Sequence, residues 1–171
     1  MDTLPVRKNI RLKEYDYSSN GLYFITICAH NRQNLFGDIV GAIHESPDNP
    51  FNILNENGFI VEKYLKEIPN RYSNLQIDCY VIMPNHIHLI IAINNERAIR
   101  ESPLQPCLSK IIGYLKMNTS KHIRLLNSKT KVWQRGYYEH IIRNEKDLRE
   151  TREYISNNIL KWELDKYYTN N

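Results

Sequence analysis

The hydrophobic positions of this chain fall into blocks of two periods, one suited to strands and the other to helices. Residues 21 to 29 (Gly-Leu-Tyr-Phe-Ile-Thr-Ile-Cys-Ala) are dense in β-branched and aromatic side chains behind a polar stretch, and predict a first strand. Gly37 to Ile43 predicts a short second strand, followed by a Pro-rich loop from Ser46 to Pro50. Ile60, Val61, Tyr64, Leu65 and Ile68 then recur at helical spacing and stop at Pro69. Gln76 to Ile82 and His86 to Ile93 are two apolar β runs parted by Met83-Pro84-Asn85, since proline in a sheet belongs at an edge, a bulge or a strand start.

From Leu104 to Leu126 the residues at 108, 111, 112, 115, 119, 122, 123 and 126 trace one stripe, with Thr119 and His122 at its edge and Lys110, Lys121 and Arg124 on the opposite face. Lys131 to Arg143 predicts a strand, or a strand pair broken at Gly136. Asn144 is the expected N-cap of a last helix that has Glu145 and Asp147 in its first turn and ends near Leu160. Leu148, Thr151, Ile155, Ile159 and Trp162 form its core stripe, and Tyr154 and Asn158 share a side at the margin. This order predicts an α+β fold, a ferredoxin-like (split βαβ, RRM-like) antiparallel sheet with helices packed on one face. Residues 1–171 read as a single domain without repeats or linkers.

His86 and His88 stand two apart in the last of the apolar β runs, so both imidazoles project from one face of a strand. Neutral imidazole binds divalent ions, and a polar pair on an apolar strand has a desolvation cost that folding alone does not explain. An isolated His-x-His is also common as a hydrogen-bonded core pair, so partners are needed elsewhere. Tyr154 and Asn158 are candidates: a phenol is a nucleophile, and an amide oxygen is a hard donor able to complete a two-imidazole set. The competing readings are packing for the tyrosine and capping for the asparagine. His140 reads as a satisfied core or supporting residue, His30 and His122 lack partners at metal spacing, and Cys28 and Cys79 read as core.

Composition narrows the classes. Twelve Tyr against four Phe and two Trp suit wet, partly buried surfaces, including those on which bases stack. The net charge is only +4, yet between Lys110 and Arg143 eight Lys or Arg face one acid, Glu139, and Arg7, Lys8, Arg11 and Lys13 add to the start. Such local excess is the footprint of a nucleic-acid binder, with Arg7, Lys8, Arg11, Lys110, Lys121, Arg124, Arg135 and Arg143 as candidate DNA contacts. Three widely spaced cysteines indicate neither a disulfide framework nor a zinc knuckle. Without a signal segment or a run of about 20 apolar residues, the expectation is a cytoplasmic protein with no membrane contact.

Several segments together resemble a known family, the single-tyrosine HUH transposases, and within it the REP-associated tyrosine transposases. They are Asp16-Tyr-Ser and Gly21-Leu-Tyr-Phe-Ile-Thr, Met83-Pro-Asn-His-Ile-His-Leu-Ile, Val132-Trp-Gln-Arg-Gly-Tyr-Tyr-Glu-His-Ile-Ile-Arg143, and Tyr154-Ile-Ser-Asn-Asn158 with Lys161-Trp162. The resemblance implies that His86 and His88 are metal ligands, Tyr154 is the nucleophile and Asn158 the third ligand. Many members carry Asn-Pro where this chain reads Asn157-Asn158-Ile159, which leaves Asn157 as the alternative. It further implies Mg2+ or Mn2+ as cofactor, and cutting of single-stranded DNA near hairpins through a 5′-phosphotyrosine link, by a monomer or homodimer. The residues alone leave two other functions open, a non-catalytic nucleic-acid-binding module and a metal-dependent phosphoesterase.

Overall fold

The computed structural model describes residues 19–40, 51–94, 107–164 and 167–168. In chain order the elements are β1 (Gly21–Cys28), β2 (Gly37–Val40), β3 (Phe51–Leu54), α1 (Glu56–Arg71), β4 (Leu75–Met83), β5 (His86–Ile93), α2 (Leu108–Leu126), β6 (Tyr138–Ile142) and α3 (Glu145–Ser156). Four strands make one antiparallel sheet in the order β4-β5-β1-β6, and β2 pairs with β3 as a separate hairpin. With α1 and α2 as the two crossovers, this is the expected split βαβ plan. Residues 41–43 of the expected second strand, the 46–50 loop, residues 104–106 of the expected helix, and Arg7, Lys8 and Arg11 lie outside the described residues.

Alternation along the central strands gives the sheet two different faces. Tyr23, Ile25 and Ile27 of β1 and Ile87, Leu89, Ile91 and Ile93 of β5 form one core with α1 and α2. On the other face, Val81, Met83, Ile90 and Ile142 pack against Leu148 and Ile155 of α3 and against Trp162. Two helices thus share one face as the pattern predicted, and the third covers the opposite face, the one that carries His86 and His88. Burial of Leu148 and Ile155, worth about 1.5–3 kcal/mol each, is the main force holding α3 there.

An irregularity in β4 sets the composition of that second face. The register with β5 shifts between Ile77 and Cys79, so Asp78 is the extra residue of a bulge. Leu75 and Ile77 face the α1–α2 core before it, whereas Cys79, Val81 and Met83 face α3 after it. The looped-out Asp78 receives Arg152 of α3 in a fork of 2.8 and 2.5 Å, and that guanidinium holds its carboxyl below the usual carboxylate range against the opposing effect of burial. Burial pushes the neighbouring Cys79 thiol up to about 11.

Four boundaries differ from the sequence expectation: β6 begins only at Tyr138, and of the expected strand before Gly136 a single bridge from Trp133 to Ala29 remains. β3 is an additional strand, and the Asn52 side-chain amide joins it to the Ile82 carbonyl of β4. Helix α1 starts earlier, where Asn55 Oδ1 caps Gly58 N at 3.1 Å, and runs through Pro69 to Arg71. Helix α3 stops at Ser156 instead of near Leu160, because Asn157 and Asn158 disfavour continuation and Asn158 N turns back to Ile155 O at 3.3 Å. No described helix is long and apolar enough to cross a membrane.

Gly58 provides a test of this packing, because a Cβ there would stand 2.1 Å from the Phe36 carbonyl oxygen. Helix propensity alone favours alanine by about 1 kcal/mol. The clash reverses that preference, and Gly58→Ala is expected to lose about 1–3 kcal/mol in urea unfolding. A gain in stability would show that α1 does not approach Phe36 so closely.

Candidate active site

The turn between β4 and β5 positions the histidines. Ala29 N donates to the Asn85 carbonyl (2.8 Å), while Leu35 N and Phe36 N both donate to that of Pro84 (2.8 and 2.9 Å), so the segment after β1 wraps the turn. Asn31 and Arg32 adopt left-handed φ values of 54° to make this wrap, a conformation asparagine tolerates better than arginine does. The fully buried Asn85 side chain donates through Nδ2 to the carbonyls of Arg32 (3.2 Å) and Tyr167 (2.8 Å). Its Oδ1 is therefore the atom that faces His86 Nδ1, at 2.8 Å. This arrangement places the proton on Nδ1 of His86 and the lone pair on Nε2.

His88 is oriented from the other side. Thr26, its register partner on β1, brings Oγ1 to 2.8 Å from His88 Nδ1. Both rings are buried, with 0% and 1% of their surface exposed, and their Nε2 atoms converge to 2.9 Å. Phe24 stacks on His88 at 5.3 Å between centroids, and Trp162 and Tyr167 lie against His86 at 6.0 and 4.7 Å. Arg32 sits over the Tyr167 ring at 5.3 Å.

This donor set fits a divalent ion. Nitrogens 2.9 Å apart have the spacing of adjacent ligands on a six-coordinate ion with bonds of about 2.1 Å. Each ring's other nitrogen is hydrogen-bonded, as metal-bound imidazoles require. No group of three His, Cys, Asp or Glu with metal-binding geometry occurs among the described residues, so a third ligand drawn from those residues would be of another type, such as an amide or a phenol.

Helix α3 brings Tyr154 of the same chain to this pair, with its Oη 3.3 Å from His88 Nε2 and its ring edge-on to Phe24 at 6.0 Å. The tyrosine is 40% exposed and lines an open groove of about 770 Å3 together with Phe24, Tyr138, His140, Asn157 and Asn158. Asn158 is 3% exposed and reaches the groove from the turn after α3, not from one helical turn beyond Tyr154 as the sequence predicted.

The basic candidates lie elsewhere. Lys110, Lys121 and Arg124 are exposed on α2, which covers the opposite face of the sheet. Arg124 and Arg135 share a groove of about 570 Å3 with Lys116 and Lys131, whereas exposed Arg143 follows β6 and its backbone N donates to Asp147 Oδ2. Sequence reasoning missed Thr26, Asn85, Phe24 and Tyr167. A threonine on the histidine face of an apolar strand and an asparagine next to the first histidine are the signals that were available.

Comparison with known proteins fits this geometry. A family model described as IS200-like transposase matches residues 18–158. An uncharacterized protein of Haemophilus influenzae is 40% identical over 95% of this chain and 93% of its own length. A second H. influenzae protein, named "Putative REP-associated tyrosine transposase", is 24% identical over 85% of this chain and 74% of its own. Among solved structures, a REP-associated tyrosine transposase bound to a REP hairpin has the same fold, with a TM-score of 0.61 and 19% identity over 91% of this chain and 76% of that one.

The Thr26–His88 bond can be tested without ligand. Thr26→Val preserves shape but leaves the buried His88 Nδ1 without its partner, and is expected to cost about 1–3 kcal/mol in urea unfolding, with Thr26→Ser recovering most of it. Equal stability of all three proteins would show that the hydroxyl does not hold the ring.

Proposed function

Because this chain belongs to the IS200-like transposase family, we propose that it nicks single-stranded DNA beside a hairpin and joins it to Tyr154 through a 5′-phosphotyrosine link. The observation that carries this reading is the convergence of Tyr154 Oη on the paired imidazoles, 3.3 Å from His88 Nε2. The related structure that holds a REP hairpin supports the choice of DNA.

Tyr154 Oη attacks the scissile phosphorus, the bond to the 3′ oxygen breaks, and the strand leaves with a free 3′-hydroxyl. A phenol titrates at about 10, so it must lose its proton during attack, and a cation held by the imidazoles beside Oη would favour the phenolate. Mg2+ or Mn2+, held by His86, His88 and Asn158 or Asn157, would neutralise charge on the non-bridging oxygens. Asn85 and Thr26 hold the two rings with Nε2 toward that place. The covalent link conserves the phosphodiester, so a second 3′-hydroxyl can displace the tyrosine without ATP. Lys110, Lys121, Arg124 and Arg135 are proposed to hold the backbone of the flanking DNA, with Arg143 nearer the groove and Arg7, Lys8 and Arg11 from the N-terminal segment.

A hairpin oligonucleotide copied from inverted repeats flanking the gene provides the test. Wild-type protein with Mn2+ should yield a covalent adduct on a denaturing gel, Tyr154→Phe should bind the DNA and yield none, and His86→Ala should lose ion-dependent cleavage by about 100-fold or more. Binding without any cleavage by wild type, or turnover that survives Tyr154→Phe, would overturn the proposal.

A further inference from the structure

The groove that holds Tyr154 contains a second imidazole whose surroundings the nucleophile and the ion do not account for. His140 lies on β6, in register with Phe24 of β1, and so shares the face of the sheet that carries His88. Its Nε2 is 3.0 Å from both carboxylate oxygens of Asp147. That carboxylate is itself fixed: Arg143 N donates to Oδ2 (3.2 Å), and Asp147 N donates to the Asn144 cap (2.9 Å). Burial acts to raise the Asp147 carboxyl, but the His140 bond and the Arg143 amide outweigh it, and the net direction is down. With Nε2 committed to an ionised partner, Nδ1 is the ring nitrogen available to a ligand in the groove. An imidazole fixed on one side by a carboxylate and open on the other is the arrangement used to give and take a proton.

The position along the sheet says which proton. His88 and His140 stand on β5 and β6, on either side of β1, and their partners on it, Thr26 and Phe24, are two residues apart, so their backbones are about 12 Å apart with Phe24 on the strand between them. Tyr154 and His140 line the same groove, and in-line displacement puts the leaving oxygen of a phosphate attacked by Tyr154 on the side away from Oη. Tyr154 occupies the His88 end. The far end, toward His140, is where the leaving oxygen departs.

We infer that His140, held by Asp147, protonates the 3′ oxygen as the strand is cut; this rests on the phosphotyrosine reading above. As the bond from Tyr154 Oη to phosphorus forms, the bond from phosphorus to O3′ breaks, and the departing electron pair takes the proton from His140. In strand joining the imidazole takes that proton back from the attacking 3′-hydroxyl.

The test uses two versions of the hairpin oligonucleotide, one with oxygen and one with sulfur bridging at the 3′ side of the scissile phosphate, in Mn2+ because sulfur is a poor partner for Mg2+. A thiolate leaves without protonation. His140→Gln retains an N–H for Asp147 and should cut the oxygen substrate about 100-fold or more slowly, yet match wild type on the sulfur substrate within about fivefold. Asp147→Asn should show a smaller loss with the same rescue. His140→Gln equal to wild type on oxygen, or equally slow on both substrates, would overturn the inference while leaving Tyr154 in place. Absence of adduct from wild type on either substrate would overturn both readings together.

Discussion

Everything in the site depends on how the chain closes around Asn85. A side chain with no exposed surface joins three separate parts of the protein: the left-handed turn after β1, the segment beyond α3 and the first histidine of β5. Each bond constrains the next, since donation to two carbonyls determines which amide atom meets His86, and that in turn determines which imidazole nitrogen is left for chemistry. Burial makes the constraint strong, because in a dry interior an amide that fails to find its partners costs about 1–3 kcal/mol per group. Fold and tautomer are therefore fixed by the same few bonds.

The two faces of the sheet divide the remaining work. The α1–α2 side is a continuous apolar core in which Tyr23 and Leu65 have no exposed surface, and it supplies the rigidity. The α3 side is thinner and mixed, with Val81, Met83, Ile90, Ile142 and Trp162 surrounding polar groups that would be expensive to bury singly. Thr26 and His88 lie opposite each other in the β1–β5 register, so the sheet itself aligns the hydroxyl with the ring. Helix α3 then needs only its apolar stripe and the Arg152 fork to deliver Tyr154 to the pair in its own chain.

Most of this architecture was legible where burial and period agree. β1, β4 and β5 were read within a residue or two, because long β-branched runs between polar stretches leave little ambiguity. The β2–β3 hairpin was half seen, since Phe51–Leu54 is too short to show a period beside Pro50. The helical end near Leu160 was misread because Trp162 keeps the phase of the stripe although the backbone has already turned. In the site, the two histidines and the tyrosine were legible from spacing and family resemblance. Thr26 and Asn85 were not, because their role is defined by hydrogen bonds across 62 residues and to the carbonyl of Tyr167. His140 was placed as a supporting residue, and only the strand register shows that it shares the groove with Tyr154.

The bulge at Asp78 gives β4 two reading phases, with the odd positions facing the helix pair before it and the histidine-bearing face after it. Substituting the residue there changes a surface contact; removing it would leave both phases as they are, because Ile77 and Cys79 already pair with consecutive residues of β5. Drawing Asp78 into the ladder would turn Val81 and Met83 into the α1–α2 core and Ile82 toward the imidazoles, with no side chain altered. What the extra residue must keep is its place outside the ladder, since its presence there, and not its side chain, sets which way every later residue of the strand faces.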